Sequence, residues 1–257
     1  MQVGVEQILA WKGGVVVAWF ALLLVAERWR PAVSPRLAEP PWRRVARNAA
    51  LWAVNALLSP FVVVPVSAYA AAHALPWRPP WWGGSGGLVA DLLLLDFLIY
   101  WWHRANHVVP LLWRFHAVHH YDRFLDTTSA VRFHFGEVLL SAAARAGIIV
   151  LLAIPLTSVL AFEALVLVAA LFHHSNVRLP PGFELAVSRL VVTPSIHWVH
   201  HHRVRADTDS NYSTILSVWD PLFASRSPHR RTPDMPIGVE ACEERPLLGL
   251  VAAPFRD

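Results

Sequence analysis

The sequence predicts an all-α integral membrane bundle of about three spans plus a helical hairpin, with a histidine-rich helical cap on the cytoplasmic side. Hydrophobic residues make up 55% of the 257 residues and charged residues only 16%, against roughly 45–50% and ~25% in soluble domains. Several apolar runs approach or exceed the ~20 residues that a helix needs to cross a bilayer. In addition, 13 of the 14 histidines lie in two segments, 103–137 and 173–257.

The first two predicted spans lie near the N-terminus. The run from Ile8 to Ala26 is interrupted only by Lys12. Because it lacks a basic start and a small-residue cleavage site, we interpret it as a retained span rather than a signal peptide. The second run, Asn48 to Ala72, contains Pro60 and Pro65. Proline removes a backbone donor and clashes with the preceding turn, so we expect a kink in this helix.

A third span and a helical hairpin follow. The glycine-rich stretch from Trp81 to Gly87 is typical of a flexible turn. The next apolar run extends from Leu88 to Trp102 and ends in aromatic residues that resemble an interfacial belt. The segment Val138 to Phe172 is then predominantly apolar for 35 residues and is broken at Pro155. That length favours two helices that enter and leave by the same face, with Pro155 near the turn.

The placement of arginine predicts the orientation of the bundle. Segment 27–47 contains six arginines, whereas loop 73–87 contains only Arg78, and basic loops stay on the cytoplasmic side. Counting crossings from segment 27–47 places both histidine-containing segments and the C-terminus in the cytoplasm. The net charge of +4 fits loops that lie beside anionic lipid, so no nucleic-acid partner is expected.

Three histidine elements carry the chemistry of the predicted cap. They are His103-x3-His107, His116-x2-His119-His120 and His197-x2-His200-His201. On a helix, residues three and four positions apart share a face, so each element aims two or three imidazoles at one point. A single cysteine, Cys242, excludes thiolate zinc clusters and iron–sulfur sites. Eight histidines exceed the needs of one four-coordinate zinc ion, so we expect a dimetal site with nitrogen ligands.

Other interpretations stay open from the residues alone. A lone His-x3-His pair is usually a pair of surface histidines, and metal-transport or metal-storage membrane proteins also concentrate histidine. Such proteins more naturally place ionisable ligands at mid-membrane depth, and a haem cytochrome needs axial histidines within facing spans. The HExxH motif and a phosphate-binding glycine loop that ends in Gly-Lys-Ser/Thr are absent from the sequence. A histidine-rich membrane protein that only binds or transports metal is therefore the alternative to an enzyme.

Further motifs surround the histidine elements. They are Asp96-Phe97, Tyr100 to Arg104, Arg132 to Glu137, Phe172 to Asn176, Thr193-Pro194, Asn211-Tyr212 and Trp219 to Phe223. In their order and spacing, they make the chain from Asp91 to Ser225 resemble the fatty acid hydroxylase superfamily, also called the sterol desaturase family. Its members are membrane-bound all-histidine di-iron oxygenases. Two positions depart from the family pattern, since Phe135 stands where proline is frequent and Trp198 where arginine is frequent.

The resemblance implies a ligand set and a division of the chain. Residues 88–225 would form the catalytic domain, after membrane spans and loops in 1–87 and before a cytoplasmic tail, 226–257, that packs on the cap. The eight histidines of the three elements would bind the metal ions, and His134 and His174 would add two further ligands. The remaining histidines are expected to be structural or solvated: His73, His173, His202 and His229.

Carboxylates are expected near the metal ions. Neutral imidazoles leave the cationic charge uncompensated beside a low-dielectric bilayer, and ligating histidines donate their second N–H to carboxylates or carbonyls. The candidates are Asp96, Asp122, Asp126, Glu137, Asp207, Asp209 and the amide of Asn176. Asp220 is expected instead to hold the C-terminal segment. Glu163 lies inside the hairpin, where an ionisable group is costly, and both a functional role and a neutral hydrogen-bonded role fit it.

The resemblance also implies a reaction. Two iron ions would use O2 and external electrons to hydroxylate, or desaturate, a C–H bond of a lipid such as a fatty acyl lipid, a sterol or a hopanoid. Zinc could occupy the same nitrogens in a purified sample. Because the chain shows no haem-binding or flavin-binding motif, we expect a separate ferredoxin, cytochrome or reductase to supply electrons. The preference for Arg and Ala over Lys indicates a GC-rich bacterium and hence an inner-membrane location.

Overall fold

The chain folds almost entirely into helices. The computed structural model describes residues 5–34, 39–240, 242 and 244–256, with side chains from residue 11 onward. Within these ranges the β-pairing is limited to three isolated bridges. The α-helices are α1 (Val5–Trp29), α2 (Pro41–Leu58), α3 (Val64–Ala72), α4 (Gly84–Val108), α5 (Pro110–His120), α6 (Phe135–Leu152), α7 (Leu156–His174), α8 (Pro181–Val187), α9 (Pro194–His200), α10 (Arg205–Thr208), α11 (Trp219–Leu222) and α12 (Leu247–Ala252).

Four helical segments of the described chain are long and apolar enough to cross a membrane. They are Pro41–Ala72, Gly84–Val108, Phe135–Leu152 and Leu156–His174. These segments correspond to the second span, the third span and the hairpin, so the predicted membrane bundle is confirmed. The first predicted span lies within α1, which packs against α7 through Leu23 and Leu171. The C-terminal Asp257, expected in the cytoplasm, lies outside the described residues.

The irregularity predicted in the second span is a π-helical turn. Ser59–Val63 forms this turn between α2 and α3. Pro60 lacks the N–H that a regular helix uses, and a wider turn accommodates this loss. The helix begins at Pro41, before the apolar run, because proline suits the first helical position. Arg44, in this polar first part, is buried and finds its partners in the cap.

The glycine-rich stretch begins as the expected turn at residues 81–83, but its second half, from Gly84, is the beginning of α4. Gly84 has a φ of +61°, a conformation that glycine adopts without strain. Gly87 lies so close to Trp82 that a Cβ atom would come within 2.8 Å of the Trp82 carbonyl oxygen. The low helix propensity of glycine concealed this start in the sequence. The helix then continues past its apolar run and carries His103 and His107.

The predicted hairpin is formed by α6 and α7. Ala153 ends α6 in the left-handed conformation, with a φ of 51°. Ile154 closes the turn by donating its N–H to the carbonyl oxygen of Ile149 at 3.2 Å. Pro155 then precedes α7 as its N-cap. The beginning of α6 and the end of α7 therefore lie at the same end of the bundle, which is the end that carries the histidines.

Short helices and loops form a cap over this end. Leu250 of α12 is fully buried in a cluster that includes Leu51 of α2, so the C-terminal tail packs against a span. Arg44 donates to Asp122 Oδ1 at 2.6 Å and to Asp126 Oδ2 at 2.7 Å. This buried ion-pair network joins α2 to the segment that follows α5 and fixes the cap on the spans.

Candidate metal centre

Nine histidines converge in two groups beneath the cap. In each group, one ring nitrogen of every member lies within 4.8 Å of the others. The five-histidine group contains His103, His107, His116, His120 and His200. The four-histidine group contains His119, His174, His197 and His201. The structure thus brings together all eight histidines of the three sequence elements and adds His174.

Helical periodicity divides the elements between the two groups. His103 and His107 lie one turn apart near the end of α4 and face the five-histidine group. In the last turns of α5, His116 and His120 face this same group, whereas His119 points to the four-histidine group. The element at α9 divides similarly. His197 and His201 face the four-histidine group, whereas His200 faces the five-histidine group.

Backbone carbonyls orient four of the nine rings. A carbonyl oxygen can only accept, so the ring nitrogen that contacts it carries the proton and the other nitrogen keeps its lone pair. The Nδ1–H groups donate from His103 to Tyr212 at 2.8 Å, from His119 to Arg132 at 3.2 Å, from His174 to Ala170 at 2.8 Å and from His200 to Ser210 at 2.6 Å. In all four rings the Nε2 lone pair is therefore free to bind a metal ion.

Two carboxylates contact rings of the five-histidine group. Glu137 Oε1 lies 2.8 Å from His116 Nδ1, and Asp209 Oδ1 lies 3.4 Å from His107 Nδ1. Both carboxylates were candidates from the sequence. They place negative charge beside the neutral imidazoles, which offsets part of the charge of a bound cation.

The inward nitrogens of the four-histidine group have the spacing of ligands to one ion. His174 Nε2 lies 3.0 Å from His119 Nε2 and 2.9 Å from His197 Nε2. Because His119 and His174 carry their protons on Nδ1, two lone pairs face each other and repel unless a cation lies between them. Two nitrogens that are each ~2.1 Å from one ion lie about 3.0 Å apart when their bonds meet at ~90°. The donor set therefore fits a metal ion.

The nitrogens of the five-histidine group also fit a metal ion. His107 Nε2 and His200 Nε2 are buried, and neither has a hydrogen-bond partner within the described part of the chain. His116 Nε2 and His120 Nε2 lie 3.3 Å apart. An unpaired buried polar atom costs free energy, and a bound cation would remove that cost for several of these atoms at once.

Burial keeps the rings neutral. It lowers the pKa values of His119, His120, His197, His200 and His201 well below the usual range, and neighbouring histidines add to the effect. At neutral pH these imidazoles therefore retain the lone pairs that metal binding requires. An imidazole donor set suits iron, copper, zinc or nickel rather than magnesium or calcium.

Asp96 and Asp220 act through the backbone rather than on the rings. Asp220 Oδ1 accepts from the Tyr212 amide at 2.7 Å, as expected of a residue that holds the C-terminal segment. Asp96 accepts from the Ile215 amide at 3.3 Å and from the Leu216 amide at 3.2 Å, and its Oδ2 also accepts from Trp219 Nε1 at 2.8 Å. Together they fix the segment whose Tyr212 carbonyl orients His103.

The other expected polar partners stabilise the cap and do not contact the two groups. Asp122 and Asp126 bind Arg44. Asp207 Oδ2 lies 2.6 Å from His202 Nδ1, and Asp207 Oδ1 lies 2.8 Å from His229 Nδ1. The side chain of Asn176 bonds to the backbone that follows α1.

The structure does not bring His134 to either group. Its Nδ1 accepts from the Gly136 amide at 2.9 Å, which caps α6, and its Nε2 lies 3.1 Å from the Val251 carbonyl oxygen. Both nitrogens are thus engaged. His173 is buried with its ring centroid 4.0 Å from that of His197, although neither element spacing nor the resemblance selected it.

A cavity of about 420 Å³ joins the histidines to the interior of the spans. Its apolar lining includes Ile99, Phe162, Val166 and Leu167, and its histidine lining includes His103, His116, His119, His174 and His197. Lys12, Arg145 and Glu163 line the same cavity. The space is therefore continuous between the metal-binding end of the bundle and a charged cluster within the spans.

The sequence matches one family model and several named proteins. The model described as fatty acid hydroxylase matches residues 88–225. The ornithine lipid hydroxylase OlsE of Rhizobium tropici is 30% identical over 196 residues, which cover 76% of this chain and 58% of the relative. The alkylglycerol monooxygenase of Homo sapiens is 28% identical over 151 residues, or 59% of this chain and 32% of the relative. The chain thus spans less than two thirds of the length of these relatives, and no solved structure matches it.

Proposed function

Because the chain belongs to the fatty acid hydroxylase family, we propose that it is a membrane-bound di-iron oxygenase that hydroxylates, or desaturates, a C–H bond of a lipid. The reaction would use O2 and external electrons. The observation that carries the proposal is the pair of histidine groups, with inward nitrogens as close as 2.9 Å, beside a cavity of about 420 Å³. The names of the relatives, a lipid hydroxylase and an alkylglycerol monooxygenase, support a lipid substrate.

Each histidine group would hold one iron ion through its inward nitrogens. When bound, the iron pair supplies the one-electron and O2 chemistry that amino-acid side chains lack. The chain's own groups orient the rings: the carbonyls fix the Nδ1 protons, and Glu137 and Asp209 contact His116 and His107. His134 is left out of this ligand set because both its nitrogens are engaged elsewhere. Zinc would fit the same nitrogens in a purified sample.

The membrane spans would position the lipid substrate and exclude water from the cavity. Apolar side chains from α4 and α7 line the cavity between the histidines and the charged cluster. An alkyl chain in this space would displace water from apolar surface, which favours its binding, and would bring a C–H bond to the metal-binding end. Fatty acyl lipids, sterols, hopanoids, alkylglycerol ethers and amino-lipids are the substrate classes that this proposal covers.

We also place the cap and the C-terminus in the cytoplasm of a bacterial inner membrane. The support for this orientation is the cluster of arginines in segment 27–47. A bacterial relative supports the location. A separate ferredoxin, cytochrome or reductase would then dock on the cap to supply electrons.

Metal analysis combined with lipid mass spectrometry tests the proposal. Protein expressed in iron-replete medium is expected to contain two iron ions per chain without a haem absorption band. Cells that express it are expected to accumulate a lipid that has gained one oxygen atom or lost two hydrogen atoms. His201→Ala should abolish this product, whereas the matched control His73→Ala should not, since His73 is exposed and far from both groups in sequence.

The other outcomes separate the alternatives. Bound metal with no change in any lipid class would favour a metal-binding or metal-transport protein. A haem absorption band in the purified protein would overturn the proposed di-iron centre.

A further inference from the structure

Three ionisable side chains meet inside the spans, away from the histidine groups. Lys12 Nζ of α1 lies 3.0 Å from Glu163 Oε2 of α7. Arg145 NH2 of α6 lies 3.3 Å from the other oxygen, Glu163 Oε1. We call these residues the charged cluster. All three line the cavity that reaches the histidines.

The charged cluster is part-buried and lies well away from the histidine end of the bundle. Glu163 is eleven residues before His174 on α7, and at 1.5 Å per residue this separation is about 16 Å along the helix axis. That distance is roughly half of the ~30 Å hydrocarbon thickness. Ionisable groups at such depth are costly and occur chiefly where they serve a function.

The cluster carries more positive than negative charge. One carboxylate faces an ammonium and a guanidinium, and Arg145 Nε is buried without a hydrogen-bond partner within the described residues. The other carboxylate that lines the cavity, Glu137, is engaged with His116. An anion is therefore the ligand that complements this end of the cavity.

We propose that Lys12 and Arg145 bind an anionic group, a carboxylate or a phosphate, of the lipid substrate, and that Glu163 is the internal carboxylate with which the two cations pair when the site is empty. This inference rests on the proposed function and names the substrate class of the same cavity. A bound lipid would extend from the charged cluster to the histidine groups. Its anionic end would lie in the spans and its oxidised carbon beneath the cap.

The size of the cavity agrees with such a chain. With C–C bonds of ~1.5 Å, an extended alkyl chain advances about 1.25 Å per carbon, so ~16 Å corresponds to about a dozen carbons. The cavity of about 420 Å³ lies within the ~300–1,000 Å³ range of small-molecule pockets. We therefore expect the oxidised carbon to lie about a dozen carbons from the anionic group.

Binding measurements on the purified full chain test the inference without turnover. The probes are hexadecanoate, hexadecyl phosphate and the uncharged hexadecanol, each titrated in nonionic detergent. We expect one or both anions to bind about tenfold more tightly than hexadecanol, since hydrogen bonds to charged groups are the stronger ones. The carboxylate and phosphate arms distinguish the two sources of the charge. Equal binding of hexadecanol and both anions would overturn the inference.

Variants of the two cations locate the site. Lys12→Gln and Arg145→Gln should each reduce the anion preference about tenfold. The matched control Arg189→Gln removes a cation that is exposed in the turn after α8 and should keep the preference. An anion preference that survives in both cluster variants would refute the assignment. Iron content, measured in every variant, confirms that the histidine groups have formed.

Glu163→Gln separates ligand binding from a purely structural ion pair. It removes the carboxylate that competes for the two cations, so anion affinity should rise. A structural role alone would lower the thermal stability and leave the affinity unchanged. Because these assays need no catalysis, their failure would refute the inference and leave the proposed function standing, whereas absence of any oxidised lipid in wild-type cells would refute the function.

Discussion

The two carboxylates beside the five-histidine group give a prediction with a magnitude that can be worked from the structure. Glu137→Gln and Asp209→Asn each remove one negative charge and keep the side-chain shape. Glu137 lies 2.8 Å from His116 with 9% of its side chain exposed, whereas Asp209 lies 3.4 Å from His107 with 33% exposed. A buried hydrogen bond to a charged group contributes ~1.5–3 kcal/mol, or about 10–100-fold in affinity. The longer, solvent-screened contact should contribute below ~1 kcal/mol.

A chelator titration measures this difference. Purified iron-loaded protein is equilibrated with increasing chelator, and the iron retained per chain is determined at each concentration. We expect Glu137→Gln to release one of two ions at about 10–100-fold lower chelator concentration, and Asp209→Asn to remain within about fivefold of wild type. The reasoning fails if both variants match wild type, or if Glu137→Gln releases both ions together, since Glu137 contacts only the five-histidine group.

Two further predictions concern the cap. His134→Asn retains an N-cap acceptor for α6 and should keep both metal ions by elemental analysis, whereas loss of one ion would return His134 to the ligand set. Arg44→Met leaves the buried Asp122 and the part-buried Asp126 without this cation and should lower the free energy of unfolding by about 3–5 kcal/mol. This loss is measured by unfolding in detergent against the exposed control Arg28→Met, and an equal effect of the two substitutions would contradict the assigned network.

The convergence of histidines was predictable because it depends on local geometry. Spacings of three and four residues on helices decide which rings point the same way, and this periodicity is visible in the sequence. His120 and His119 are neighbours, yet they face different groups, and that division also follows from periodicity. Which second helix completes each group depends on how the spans pack, and no local pattern encodes this arrangement.

The groups that orient the histidine rings were harder to predict from the sequence than the histidines themselves. Four rings donate to backbone carbonyls, and carbonyls have no residue-type signature. The sequence offered too many carboxylate candidates, because residue type alone does not show which carboxylate contacts a ring. Composition and spacing select Asp122 as readily as Glu137, but the buried partner of Asp122 is Arg44, which lies 78 residues away in the sequence. Only the folded chain distinguishes a carboxylate that contacts a ligand from one that anchors the cap.

At His134 the family resemblance and the hydrogen bonds of the side chain point to different roles. The motif from Arg132 to Glu137 is present, and its Glu137 does contact a ligand histidine. His134, however, lies where the chain enters α6, and there its Nδ1 serves the Gly136 amide. The motif therefore contributes its carboxylate and a helix cap, and these two roles account for the residues without a further metal ligand.

The charged cluster depends on contacts that no sequence pattern could reveal, because Lys12 and Glu163 are 151 residues apart. Glu163 and His174 nevertheless lie on one continuous helix, α7, so the distance between the cluster and the four-histidine group is fixed by a rigid element. A substitution in the cluster should then change which lipid binds and how deeply it enters, but not the metal content. A substitution among the histidines should do the reverse. Measuring both properties in both sets of variants therefore tests whether one cavity joins two independent sites.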